Sequence, residues 1–188
     1  MRDNYICEIW SIVKTNHGCA VLLKPRHADV AVPIFIGTLE LQSILIAKEG
    51  LNFSRPMTHD LFLNMLKSVN LSVRKVIVNE IKDDTFHARL YITGGEYTND
   101  NPLILDSRPS DAFAIAVRKK CPIFLASSVI EQTGIPLDFF ISELEEHDEV
   151  LGLKSLKEQL EQAVAEEEYE QAAEIRDMIR KLENEVET

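Results

Sequence analysis

The composition of the chain breaks near residue 150, and that break constrains the fold more than any other feature of its 188 residues. Beyond Gly152 there is neither proline nor glycine, and Glu, Gln, Lys and Ala dominate, as in exposed helices. Leu153, Leu156, Leu160 and Val164 form one stripe, and Tyr169, Ala172, Ala173, Arg176, Ile179 and Leu182 form a second. Glu166-Glu167-Glu168 lies between them and reads as a solvated turn. The two stripes predict an antiparallel α-helical hairpin over residues 146–188. So small a pair has little core of its own. Self-association into a homo-oligomer, or docking of residues 151–186 on a protein partner, is expected to cover its apolar edge.

Residues 1–145 follow another pattern. β-branched runs over Asn4–Lys14 and Cys19–Leu23 flank the turn-like Thr15-Asn16-His17-Gly18 and predict a hairpin. Val30–Ile36 predicts a further strand. Thr38 is expected to cap a helix reaching Lys48, with Gly50 as its stop. Thr58 is expected to cap a second helix through Val69, with Asp60 suiting its first-turn dipole. Leu71–Ile81 and Thr85–Thr93 predict a second hairpin around Lys82-Asp83-Asp84, followed by a loop at Gly94-Gly95. Asp106 and Ser107 are expected to cap a third helix with Pro109 in its first turn, and the apolar stretch Ala112–Val117 must be buried on most sides. A strand over Pro122–Ala126 and a Ser127-capped helical turn to Gly134 complete the region. Strands and helices are mixed rather than strictly alternating, so the fold class is α+β, a mixed-sheet main domain with packed helices, rather than a doubly wound sheet.

At 45% hydrophobic and 27% charged residues, the chain can bury a core. It has no apolar run of about 18 residues, and its N-terminus lacks the features of a signal peptide, so a cytoplasmic protein without membrane attachment is expected. Cys7, Cys19 and Cys121 are widely spaced and read as reduced thiols, neither a disulfide framework nor a zinc site. No GxSxG elbow or HExxH motif is present, which leaves serine-hydrolase and zincin chemistry unsupported. The formal net charge of −11 opposes non-specific nucleic-acid binding. About half of that excess sits in residues 151–188, where five Lys/Arg face eleven Asp/Glu, so the main domain is only mildly acidic and leaves room for a local basic site.

Three segments stand out: Pro33-Ile34-Phe35-Ile36-Gly37 with Glu40 after it, Arg55-Pro56-Met57-Thr58-His59-Asp60-Leu61, and Asp106-Ser107-Arg108-Pro109-Ser110-Asp111-Ala112. In this order and at these separations they resemble the bifunctional nuclease family, over roughly residues 5–140. Ser107 stands where a small apolar residue is expected, and Leu41 where alanine is usual. Leu156–Leu160 and Tyr169–Asp177 resemble the UVR motif of bacterial excision-repair proteins and of Clp-type ATPases and their regulators. The resemblance implies DNase and RNase activity for the main domain and partner binding for the tail.

Glu40, His59, Asp60, Asp106 and Asp111 lie at element ends, where chemistry is commonly presented, and are the candidate catalytic residues. Converging, they would bind Mg²⁺ or Mn²⁺, with Asp60, Asp106 and Asp111 as candidate ligands, and direct a hydroxide at a phosphodiester. Arg55 and Arg108, each before a proline, would hold phosphate oxygens through bidentate hydrogen bonds. The same residues also fit helix capping and ion pairing, and His59 a hydrogen-bonded first-turn histidine. Two functions follow: a metal-assisted nuclease of DNA or RNA, or a non-enzymatic adaptor that works through the tail hairpin. They part on whether the carboxylates gather in a cleft beside an arginine.

Overall fold

The computed structural model describes residues 3–15, 18–51, 53–140 and 176. The chain divides into two compact units, Met1–Pro136 and Leu137–Thr188. The second is described only at Leu137–Phe140, which begin helically, and at Arg176, also helical. The expected hairpin therefore lies outside the described residues.

The first unit runs β1 (Asn4–Thr15), β2 (Gly18–Pro25), β3 (Val30–Ile36), α1 (Thr38–Lys48), α2 (Thr58–Ser68), β4 (Ser72–Lys82), β5 (Thr85–Thr93), β6 (Leu103–Ser107), α3 (Pro109–Lys119), β7 (Ile123–Ala126), α4 (Ser127–Thr133) and β8 (Ile135–Pro136). The strands form one sheet in the order β6-β5-β4-β7-β1-β2-β3-β8. Every neighbouring pair is antiparallel except β4 and β7. The fold is therefore α+β with a mixed sheet, as expected.

One connection organises the unit. β6 and β7 run in the same direction with β5 and β4 between them, and parallel strands need a crossover rather than a hairpin. α3 supplies it. Lying over β4 and β5, and flanked by α1 and α2, it buries the whole run Ala112–Ala116. The apolar composition of that stretch is thus the signature of a crossover helix. On β4, Val76, Ile77 and Val78 are all buried; successive side chains alternate faces, so the sheet is covered on both sides there.

The elements expected within the first unit form, but the helix starts differ. Thr38, Thr58 and Ser127 are the first helical residues; the caps are Gly37, Met57 and Ala126, whose side chains offer no capping oxygen. Asp60 serves α2 instead, its Oδ2 accepting from the Met57 backbone N–H at 3.1 Å. Asp106 and Ser107 do not cap α3, because they pair with Arg89 and Ala88 as the last residues of β6. The cap is Arg108, held extended at ψ 145° by the proline that follows it. Gly94-Gly95 is more than a loop. Gly94 exchanges both backbone hydrogen bonds with Tyr97. At φ 126° it packs so closely on Asn70 that a Cβ would collide with the Asn70 carbonyl oxygen.

Candidate active site

α1, α2 and α3 each bring a motif residue of their first turn to one place: Glu40, His59 and Asp111. Arg108, immediately before α3, links them. Its Nε donates to Asp111 Oδ2 at 2.9 Å, its Nη2 to Asp111 Oδ1 at 3.4 Å, and its Nη1 to Glu40 Oε1 at 3.1 Å. His59 Nε2 lies 3.2 Å from Asp111 Oδ1. An ionised carboxylate can only accept, so Nε2 carries a proton, and in the neutral imidazole Nδ1 keeps its lone pair. Three helix N-termini also aim positive dipole ends at this region, which favours anions.

The electrostatics follow from the contacts. Burial pushes the Asp111 carboxyl up from its usual 3.8, but hydrogen bonds from Arg108 and His59, with the charge on both, outweigh it and hold the carboxyl below that value. Arg108 is shifted further up by its hydrogen bond to Asp111 and by the charge there, with a smaller contribution from Glu40. Its side chain is 65% exposed, so the pairing orients the guanidinium more than it stabilises the fold. Gly37 makes room for the arrangement, since a Cβ there would collide with Glu40 Oε2. Glu40 and Arg108 border an open hollow of about 320 Å³, with Phe35 and Phe86 on its wall.

The other sequence candidates lie elsewhere. Asp106, 79% exposed, is 3.9 Å from His87 Nδ1. On β6 it alternates with Leu103 and Leu105, which pack on the core, so it projects from the opposite sheet face. Asp60 accepts from Arg118 Nε at 2.9 Å. Arg55 is exposed and lines a groove of about 590 Å³ beside Asp60 and Arg118. Asp60, Asp106 and Asp111 thus belong to three separate pairings. Among the described residues, no three His, Cys, Asp or Glu side chains group as a metal site. The two carboxylates that do approach one another share a guanidinium, so in this arrangement the donor set does not fit a divalent ion.

Arg118 was not conspicuous in the sequence. Its side chain is 8% exposed, and its Nη1 donates to the carbonyls of Ser43 at 2.9 Å and Ala114 at 3.1 Å while its Nε holds Asp60. One guanidinium therefore ties α1, α2 and α3 together beneath the site. An arginine closing a nearly all-apolar helical stretch was the available signal.

Comparison with known proteins bears on this geometry. Residues 21–138 match the bifunctional nuclease domain, and residues 153–185 match the UvrB/uvrC motif. Bifunctional nuclease 1 of Arabidopsis thaliana is 32% identical over 184 residues, covering 87% of this chain and 55% of the relative. Bifunctional nuclease 2 of the same plant is 30% identical over 186 residues, covering 88% and 56%. An uncharacterized protein of Mycobacterium tuberculosis is 31% identical over 115 residues, covering 61% of this chain and 66% of that protein. The chain thus spans less than two thirds of the length of these relatives. The domain match takes in most of the first unit, including Glu40, His59, Arg108 and Asp111, and by it the chain belongs to the bifunctional nuclease domain family.

Proposed function

We propose that the protein hydrolyses DNA or RNA phosphodiester bonds at the cluster of Glu40, His59, Arg108 and Asp111. The supporting observation is the unbroken series of hydrogen bonds from Glu40 through Arg108 and Asp111 to His59 at the start of three helices. In this reading His59 Nδ1 is the general base. Water gives a proton to it as the water oxygen bonds phosphorus, the P–O bond to the departing sugar oxygen breaks, and that oxygen takes a proton from solvent. Asp111 holds the imidazole in the required tautomer. Arg108 takes the phosphate oxygens, and Glu40 steadies its guanidinium. The donor set expected for Mg²⁺ or Mn²⁺ is not assembled among the described residues, since Asp60, Asp106 and Asp111 pair separately and Glu40 and Asp111 share the Arg108 guanidinium.

In the same reading the modules are residues 1–145 and 146–188, and residues 151–186 bind a protein partner, supported by the UvrB/uvrC match at 153–185. Self-association of the main domain is supported by an exposed apolar stripe along α2 and its C-cap, formed by Leu61, Met65 and Val69 at four-residue spacing. A cytoplasmic location is supported by three free cysteines. No helix among the described residues is long and apolar enough to cross a membrane. The net charge of −11 favours a second reading, an adaptor without catalysis.

The deciding assay is cleavage of fluorescent single-stranded DNA and RNA by wild-type, His59→Gln and Asp111→Asn proteins matched for folding, with Mg²⁺, Mn²⁺ or EDTA. Loss of a general base lowers the rate by about 100-fold or more. Equal activity in all three proteins would remove the cluster from catalysis and leave the adaptor.

A further inference from the structure

The opposite end of α3 from the cluster carries an arrangement that the cleavage step does not use. An open hollow of about 660 Å³ is lined by Arg74 and Lys75 of β4 and by Lys119 and Lys120 at the end of α3. No Asp or Glu lines it, although Asp and Glu outnumber Lys and Arg by 31 to 20 in the chain. None of the four cations is in an ion pair among the described residues. Arg74, Lys119 and Lys120 are exposed.

Two rings complete it. Lys75 pairs with Tyr91 across the β4–β5 ladder, and Phe124 stands on the other neighbouring strand, β7. Lys75 Nζ lies 4.9 Å from the Tyr91 ring centroid and 5.7 Å from that of Phe124, so aromatic faces hold it in place without neutralising it. Four like charges brought together repel one another and lower stability unless an anion joins them. Cations alternating with aromatic faces are what a single-stranded nucleic acid requires, the former for phosphates and the latter for bases.

We propose that this hollow binds the phosphodiester backbone of a single nucleic-acid strand at a subsite distinct from the cleavage cluster; the proposal rests on the nuclease reading for the strand's other end. Eight residues of α3 separate Asp111 from Lys119, about 12 Å of helix rise. At about 3.4 Å per stacked nucleotide that is roughly four nucleotides at the least, with more needed to pass the end of α3 onto the far sheet face. Lys120 also lines the groove that contains Arg55 and Asp60, and Asp60 adjoins His59 of the cluster. Lys119 and Lys120 thus stand where the end of α3 meets the sheet, and Lys75, Tyr91 and Phe124 extend the hollow onto the sheet face opposite the cluster. The subsite also gives an acidic protein a local means of holding a polyanion.

The test is equilibrium binding, not cleavage. Anisotropy of a fluorescein-labelled oligothymidylate twelve nucleotides long is measured in EDTA over a range of KCl concentrations. Wild-type full-length protein is compared with Arg74→Gln/Lys119→Gln and with Asp111→Asn. Each substituted cation is solvent-exposed, and thermal melting confirms the fold. The double variant is expected to bind about tenfold more weakly, with a salt slope smaller by about 1.4, or about 0.7 for each phosphate left without its cation. Wild-type binding of the strand should also slow maleimide labelling of Cys121, which lines the hollow. Unchanged affinity and slope in the double variant, or labelling of Cys121 at the same rate with and without the strand, would overturn the proposal. Failure of the nuclease reading looks different: Asp111→Asn would then cleave like the wild type while hollow-dependent binding persisted.

Discussion

Replacing Arg118 with methionine keeps the length of the side chain and removes every polar interaction it makes. Three hydrogen bonds go: one to the Asp60 carboxylate and two to the carbonyls of Ser43 and Ala114. The two carbonyls are inside α1 and α3 and keep their helical partners, so their loss is partial. Asp60 is 39% exposed and can take up water in place of the guanidinium. Breaking a buried ion pair costs about 3–5 kcal/mol, and the accessibility of Asp60 places Arg118→Met near the lower figure, about 3 kcal/mol. For a unit of this size that lowers Tm by roughly 10 °C. Asp60→Ala is expected to be the more damaging change, because it strands a guanidinium that is only 8% exposed and cannot rehydrate in place. The assay is urea unfolding of the two single variants and the double variant, with an unchanged m-value required for comparison. The double variant should cost less than the sum of the singles. Arg118→Met shifting stability by less than about 0.5 kcal/mol, or Asp60→Ala proving the milder change, would refute the view that Arg118 rivets the three helices.

Two further outcomes follow from single residues. Because the Asp111 carboxyl is held below 3.8 in the folded protein, its contribution to stability is complete above the unfolded value and is lost as pH falls through the folded one. Carboxyl NMR titration should find its midpoint below 3.8 in the wild type and closer to it in Arg108→Gln; an unshifted midpoint in both would contradict the pairing. Gly94→Ala forces a Cβ onto the Asn70 carbonyl at φ 126°, whereas Gly95, at φ 57°, faces open space where a Cβ would stand. Gly94→Ala should lower stability by about 2 kcal/mol or more and Gly95→Asn by well under about 1 kcal/mol, measured by the same urea unfolding.

The elements were legible because their signals are local. Asp83 and Asp84 form the β4–β5 turn with both φ angles positive, 49° and 56°, a geometry that Asp tolerates and that a tight hairpin demands. Val30–Ile36 and the body of α1 were marked by β-branched runs and helical spacing in the same way. The helix starts were less secure. Thr38, Thr58 and Ser127 offered plausible caps, but the backbone enters each helix one residue earlier, and the short extended link from the preceding strand or loop decides that position.

The motifs likewise marked Glu40, His59, Arg108 and Asp111 as polar residues at element ends, and three of the four belong to first turns. Nothing local distinguished them from Asp106, a strand residue of the same motif as Asp111, or from Asp60, adjacent to His59. The alternation of β6 sends Asp106 to the other sheet face, and the geometry of α2 turns Asp60 towards Arg118. Arg108 and Asp111 are only three positions apart, but the partners that meet between helices or their caps are 52 to 75 positions apart, as His59 and Asp111 or Ser43 and Arg118 are. By itself, the sequence determined which segments are strands and helices, where the chemistry-bearing residues sit along them, and the family they share. Tertiary structure alone decided which side chains meet, because the crossover of α3 over β4 and β5 sets the distances between helices that carry no record of one another in their local periodicity.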